Sequence, residues 1–261
     1  MDRAGWEALV RAVQPRRPAA NAHTFLRRWD SFSRPVALKC DNDREYVVKG
    51  RCTDRQVERA LVNEQVVGYL AGTLGAPVPE IDQVNVPQEL ISAEPRMQHL
   101  RPGVAHAMHL VPDCSDKSGI DHTNVPENRP RFASLSILFG WIGGGDQQLI
   151  YSNTSPHLVH SVDHGHFFSG GPNWTPASLT AAEDEAVHPH PYFAGCCLGE
   201  ADLREPLRRL ALMNLSVIAS AVALPPDEWQ ADLAARISLA VYLGKRRETL
   251  LRLHRKEDAH G

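Results

Sequence analysis

Five cysteines in 261 residues (Cys40, Cys52, Cys114, Cys196 and Cys197) are odd in number and form no C-x-x-C pair, which argues against both a disulfide framework and a zinc site. No apolar run approaches the roughly 20 residues needed to cross a bilayer. Residues 1–10 carry charges where a secretory leader needs an apolar centre. Excess charge of one sign is missing too: 28 basic and 31 acidic residues leave a formal −3, too little for long-range attraction to nucleic acid or an anionic membrane. There is no internal repeat and no low-complexity run. These absences lead to the expectation of a cytoplasmic globular protein with neither membrane nor direct nucleic-acid contacts.

What is present suits one large domain or two small lobes sharing a cleft, since 43% hydrophobic content over this length can bury a substantial core. Residues 1–23 are basic and proline-containing (Arg11, Pro15, Arg16, Arg17, Pro18), and are expected to form a loosely attached arm with a helical turn or two at 6–13. A short element over 24–29 is followed by the breaker Ser31-Phe32-Ser33-Arg34-Pro35. Next, Val36–Cys40 and Glu45–Lys49 flank the turn residues Asp41-Asn42-Asp43, predicting a β-hairpin whose second strand ends in Lys49. Apolar residues at helical spacing predict a helix over 54–75, capped by Asp54 and stopped by Gly75-Ala76-Pro77. Glu64 interrupts the apolar positions of that helix, and a carboxylate so placed needs a partner. Lys49 is the candidate, and a helix-borne carboxylate holding a strand-borne ammonium is how kinases fix a nucleotide's phosphates.

Residues 81–115 read as strands and loops, and 115–130 as an exposed or mobile loop. A helix is expected over 131–141, then a hairpin of 149–151 and 158–162, then helices over 202–223 and 229–253. Two aspartates bracket the hairpin. Asp146 follows Gly143-Gly144-Gly145, and Asp163 ends the run Leu158-Val159-His160-Ser161-Val162 and leads into His164-Gly165. Either alone could be a turn acid, but a short hairpin between them brings both carboxylates to one mouth. The histidines of this stretch (His157, His160, His164, His166) suggest a metallohydrolase, yet their spacing does not put them on one face of a strand, and no H-E-x-x-H helix accompanies them. Trp141, Trp174 and Trp229 are expected to pack in the core.

The succession Glu45-Tyr46-Val47-Val48-Lys49, Val62-Asn63-Glu64, Leu74-Gly75-Ala76-Pro77-Val78-Pro79, Gly145-Asp146, Val162-Asp163-His164-Gly165 and Pro226-Asp227-Glu228-Trp229 resembles the HipA-like kinases, bacterial relatives of the protein-kinase and phosphatidylinositol 3- and 4-kinase fold. The resemblance runs from about residue 31 to about residue 252. It implies an α+β, two-lobed kinase-like fold, with a β-rich nucleotide-binding lobe over 24–112 and a helical catalytic lobe over 113–261. It implies ATP and Mg2+ as cofactors, and transfer of the γ-phosphoryl to a serine or threonine hydroxyl of a protein. It leaves room for an antitoxin-like or regulatory protein partner. By the same resemblance Lys49 contacts the phosphates with Glu64 as its partner, and Ser31, Ser33 and Arg34 belong to the loop covering them. Asp146 is the catalytic aspartate, Asp163 a metal ligand, and the adenine hinge lies between residues 90 and 111.

The chain departs from the family pattern in two places. After Asp146 it has Gln147-Gln148, and Tyr151 stands where relatives carry a metal-binding asparagine, so Gln148 or Asn153 would have to supply the amide oxygen. The phosphate loop has no glycine. Both departures fit the alternative of a pseudokinase-like module that binds a nucleotide or docks a partner without transfer. The resemblance also implies Ser31 and Ser33 as candidate autophosphorylation sites, since some relatives silence themselves by phosphorylating a loop serine, whose phosphate would be ejected from a pocket built for that of ATP.

Overall fold

Period-two burial in the first half of the chain rolls five strands into a closed sheet. β1 (Ala20–Arg28), β2 (Val36–Cys40) and β3 (Glu45–Lys49) are successive antiparallel neighbours. β3 then pairs with β5 (Gly103–His109) and β5 with β4 (Ile81–Val86), and β4 runs parallel to the start of β1, closing the order β1-β2-β3-β5-β4. This computed structural model describes residues 1–15, 17–183, 185 and 187–257; Arg16 of the expected arm and residues 258–261 of the expected helical lobe lie outside the described residues.

Register fixes which side chains fill the barrel. Leu38 opposes Tyr46 and Val36 opposes Val48, and these four join Val84, Val86, Ala105 and Ala107 in one apolar cluster. Because successive side chains on a strand point to opposite faces, Val47 and Lys49 are left on the outer face of β3, beside Met108 and His106 of β5. The alternation that builds the barrel thereby aims Lys49 out of it. The β2–β3 turn closes on Asp43, in the left-handed region at φ 61°, a conformation aspartate tolerates better than most residues.

Helix α2 (Glu58–Leu74) is buried on nearly every side, from Leu61 and Val62 through Gly68 to Leu74. At Gly68 a Cβ would lie 2.6 Å from Ile81 Cγ2, so glycine permits the approach of β4. The helix begins later than expected. Asp54 is not its cap, because the Arg34 guanidinium holds that carboxylate at 2.6 Å, and Val57 occupies the N-cap without a side-chain bond. Between β4 and β5 lies a short helix, α3 (Gln88–Ala93), where only strands and loops were expected.

The second half packs helices around α4 (Asn128–Ile142), whose Phe132, Leu135, Leu138, Phe139 and Trp141 are all buried. Its C-terminus is held by α8 (Leu233–Glu257): Arg246 Nε and Nη2 donate to the Trp141 and Gly140 carbonyls at 2.8 and 2.9 Å, satisfying groups that a helix end leaves unpaired. After α4 come β6 (Gln148–Tyr151) and β7 (Val159–Val162), a separate two-stranded sheet, then α5 (Pro176–Ala182). The helix expected over 202–223 is two, α6 (Glu200–Leu212) and α7 (Leu215–Ala223), because the Asn214 side chain accepts from Ser216 N and starts the second. Trp141, Trp174 and Trp229 are buried.

The start of the expected loose arm is packed instead. Helix α1 (Arg3–Ala12), capped by Asp2, presents Trp6 and Val10 one turn apart on a single face. Both are buried in the helical core against α7 and α8, and Trp6 fits over Gly244, where a Cβ would lie 2.6 Å from its ring. Ala20 and Ala22 already belong to β1. Among the described residues no helix is long and apolar enough to cross a membrane.

Candidate active site

Between the outer face of the barrel and the β6–β7 hairpin lies a cleft of about 590 Å³, within the usual range for small-molecule sites. Val47, Met108, Leu110, Val111, Ile150 and Val162 give it apolar walls, and Lys49, Asp163, Lys117, Asp113 and Asp116 give it charge.

At its inner end Lys49 Nζ donates to Glu64 Oε1 and, at 2.6 Å, to Asp163 Oδ1. The second oxygen of Asp163 accepts from Lys117 Nζ. One carboxylate is thus clasped by two ammonium groups, one buried and one on the cleft wall. Burial opposes ionisation of Glu64, but the Lys49 ammonium, helped by His164, holds its carboxyl well below the usual range. Burial likewise opposes the charge on Lys49, and Glu64 and Asp163 together overcome it and raise its pKa. For Asp163 burial works upward, Lys49 and Lys117 work downward, and the carboxyl ends below its ordinary value. Lys49, Glu64 and Asp163 are therefore charged at neutral pH.

A second layer fixes this network. Glu64 Oε2 accepts from the His164 backbone N–H at 3.0 Å, so the helix carboxylate holds the lysine with one oxygen and the chain after Asp163 with the other. The His164 ring is buried, pairs with Ser161 Oγ at 2.8 Å and packs edge-on against Phe167. Asn63 Nδ2 donates to the carbonyls of Gly165 and Phe167 at 2.7 and 3.0 Å, and its Oδ1 accepts from the Trp174 indole at 2.7 Å. Beside Lys49, burial pushes the His106 imidazole down to about 4. It is therefore neutral at pH 7 and pairs with Gln65.

Asp146 follows α4 after the left-handed Gly143 (φ 75°) and itself adopts φ 50°. It is exposed, and its Oδ2 accepts from Gln148 Nε2 at 3.2 Å. Its loop is stitched to the one behind Asp163: Phe168 N–H donates to the Gly143 carbonyl at 3.0 Å, and a Cβ on Gly145 would lie 2.9 Å from the His166 carbonyl. The hairpin register sets Gln148 opposite Val162, next to Asp163, on the same strand face as cleft-lining Ile150. Asn153 lies on the cleft wall, but its Nδ2 is bound to Asp113 at 2.9 Å. Tyr151 is buried, its hydroxyl held by the Asp121 N–H and the Gly119 carbonyl.

The candidate phosphate loop is only partly in the cleft. Ser31 lines it, but Arg34 turns to Asp54 and its carbonyl to His99. Arg55 stacks over the exposed Phe32 ring and donates to the Phe32 carbonyl. The histidines singled out in the sequence are dispersed: His157 stacks on His122, His160 faces Arg131, and His164 is bound to Ser161.

Lys117 is the residue the sequence reading missed. Segment 114–118 is not a free loop, for Cys114 and Ser118 bridge to Ser152 and Leu149 and lay the segment along β6. A lysine in a charged stretch with no periodicity gives no signal of a partner 46 residues on. Chemically the cleft offers cations for phosphate oxygens and a carboxylate, Asp163, for a hard metal ion; Gln148 and the exposed Asp146 carboxylate, a group able to accept a hydroxyl proton, are paired with each other outside its lining.

Comparison with known proteins finds kinases. A family model described as HipA-like kinase matches residues 24–168. The solved structure of a Helicobacter pylori proinflammatory kinase, CtkA, is similar at 9% identity with a TM-score of 0.58, over 90% of this chain and 95% of that one. The Golgi casein kinase is similar at 11% identity with a TM-score of 0.51, over 98% of this chain and 78% of that one. At such identities the likeness establishes a kinase-like fold alone. No curated protein matches by sequence.

Proposed function

This chain belongs to the HipA-like kinase family, and on that premise we propose that it transfers the γ-phosphoryl of ATP to a serine or threonine hydroxyl of a protein. The observation that carries the reading is the buried Lys49–Glu64 pair continuing to Asp163 at the inner end of the cleft. Keeping a charged lysine there is costly unless its partners are fixed, and an ammonium so fixed suits phosphate oxygens. The adenine would lie between Val47 and Met108 on one side and Ile150 and Val162 on the other, with 110–112 as the hinge. The two lobes would then be the barrel with α2 and the helices around α4.

Asp163 and Gln148 are the residues that would hold magnesium. Among the described residues no cluster of three or more His, Cys, Asp or Glu could hold a metal, and Mg2+ bound with ATP needs only one or two carboxylates, the rest of its shell coming from phosphates and water. When bound, the ion neutralises phosphate charge. Gln148 suits the amide role better than Asn153, since it adjoins both Asp146 and the end of β7 while Asn153 is tied to Asp113. Glu64 holds Lys49 on the phosphates, and Asp146 orients the acceptor hydroxyl and accepts its proton as the new P–O bond forms. Its exposure leaves room for a macromolecular acceptor.

The glycine-free loop and the buried Tyr151 favour a second reading, a module that binds nucleotide without transfer. Asp146→Asn separates the two. Under the kinase reading it abolishes labelling of lysate proteins from radiolabelled ATP and leaves nucleotide affinity within about threefold. A wild-type protein that binds ATP but labels nothing would support the module.

A further inference from the structure

The clasp on Asp163 has one member that the proposed chemistry has not used. Lys49 is fixed from behind by Glu64, but among the described residues the Lys117 ammonium has its one ion pair with Asp163, and its side chain is 41% exposed on the cleft wall. Its backbone is not free to wander. The Ser118 N–H donates to the Leu149 carbonyl at 2.8 Å, Leu149 N–H returns the bond at 3.2 Å, and Ser115 N–H donates to the Tyr151 carbonyl at 2.8 Å. A fixed backbone carrying an exposed ammonium at the mouth is the arrangement expected of a group that meets an incoming anion.

We propose that Lys117 is a catalytic residue that contacts the γ-phosphate of ATP. The inference rests on the kinase reading above. Two amides, Gln147 and Gln148, follow Asp146, so that loop offers no cation to the transferred group. Lys49 lies at the inner, buried end of the cleft and Lys117 at the outer, exposed end, one on each oxygen of the same carboxylate. A triphosphate entering along the cleft meets both, its inner phosphates at Lys49 and its terminal phosphate at Lys117. During transfer the bond from the γ-phosphorus to the β,γ-bridging oxygen breaks, and its electron pair leaves with ADP. The bond to the acceptor oxygen forms, and the acceptor's proton passes to Asp146. The Lys117 ammonium balances charge on the γ-oxygens throughout and needs no change of protonation state.

Binding of nucleotide distinguishes a γ-phosphate contact from a structural one without reference to turnover. Affinities of wild type, Lys117→Met and Lys117→Arg are measured by calorimetry with Mg2+, for ADP and for a non-hydrolysable ATP analogue. Methionine keeps the length and removes the charge, and the site's exposure makes the variant tolerable to the fold. Loss of a charge-assisted hydrogen bond should weaken the ATP analogue roughly ten- to a hundredfold and change ADP by less than about threefold, with arginine restoring most of the loss. Equal weakening of both nucleotides, no change in either, or tighter binding of both through release of Asp163 would each overturn the inference and leave the kinase reading standing. Wild type binding neither nucleotide would overturn both.

Discussion

The buried pair at the back of the cleft should behave oppositely to a surface ion pair. Glu64 and Lys49 expose 2% and 11% of their side chains, so Glu64→Gln leaves an ammonium whose one remaining charged partner among the described residues is Asp163, and Lys49→Met strands a carboxylate that retains the His164 N–H. Removing one member of a buried pair costs about 3–5 kcal/mol. The surviving contacts put both variants near the lower end. At about 2–4 °C per kcal/mol for a chain of this size, each should melt roughly 6–12 °C below wild type. Lys49→Met/Glu64→Gln has neither charge to strand, so it should be at least as stable as the weaker single variant. Calorimetric melts of the four proteins test this, and single losses that add to within about 0.5 kcal/mol would refute the coupling.

The same variants differ in pH dependence. In wild type the folded pKa of Glu64 lies below its unfolded value. Its contribution is therefore fully present above the unfolded pKa, near 4.3, and is lost as pH falls through the lower folded one. In Lys49→Met burial acts on Glu64 without the ammonium, the folded pKa rises above the unfolded one, and the variant should gain stability relative to wild type as pH is lowered from 7 toward 5. A constant difference between them across that interval would contradict the assigned cause.

Other expectations follow from particular contacts. Trp6→Ala removes a ring seated in the helical core over Gly244 and should cost about 3–5 kcal/mol in a denaturant melt; a loss under about 1 kcal/mol would make residues 1–12 dispensable. Gln148→Asn keeps the amide and shortens its reach, and should weaken Mg2+-dependent nucleotide binding by no more than about tenfold. Gln148→Leu should weaken it more, and equal effects would show that the amide holds no metal.

Most of the site's geometry follows from short-range patterns. Period two in Glu45–Lys49 sets Lys49 opposite Tyr46 and Val48, and a carboxylate among the apolar residues of α2 demands a cation, so the Lys49–Glu64 pairing can be read from local spacing. The end of a strand before a glycine likewise places Asp163. What depends on distant partners could not be read. Trp6 looks like a residue of a polar arm until α7 and α8 supply its pocket, Asp54 looks like a helix cap until Arg34 takes its carboxylate, and Lys117 has no meaning until β6 draws its segment alongside. Asn214 is a different case, for its capping preference was present in the sequence and was hidden by continuous apolar spacing on both sides.

The central claim is that this cleft binds ATP through Asp163 and a divalent cation, and a thermal-shift titration of wild type and Asp163→Asn with ATP, with and without Mg2+, tests it most directly. At a hundred times its dissociation constant ATP should stabilise wild type by about 2.7 kcal/mol, largely in a Mg2+-dependent manner, and the Asp163→Asn variant should lose the Mg2+-dependent part. No shift in wild type, or an equal Mg2+-dependent shift in the variant, would contradict it.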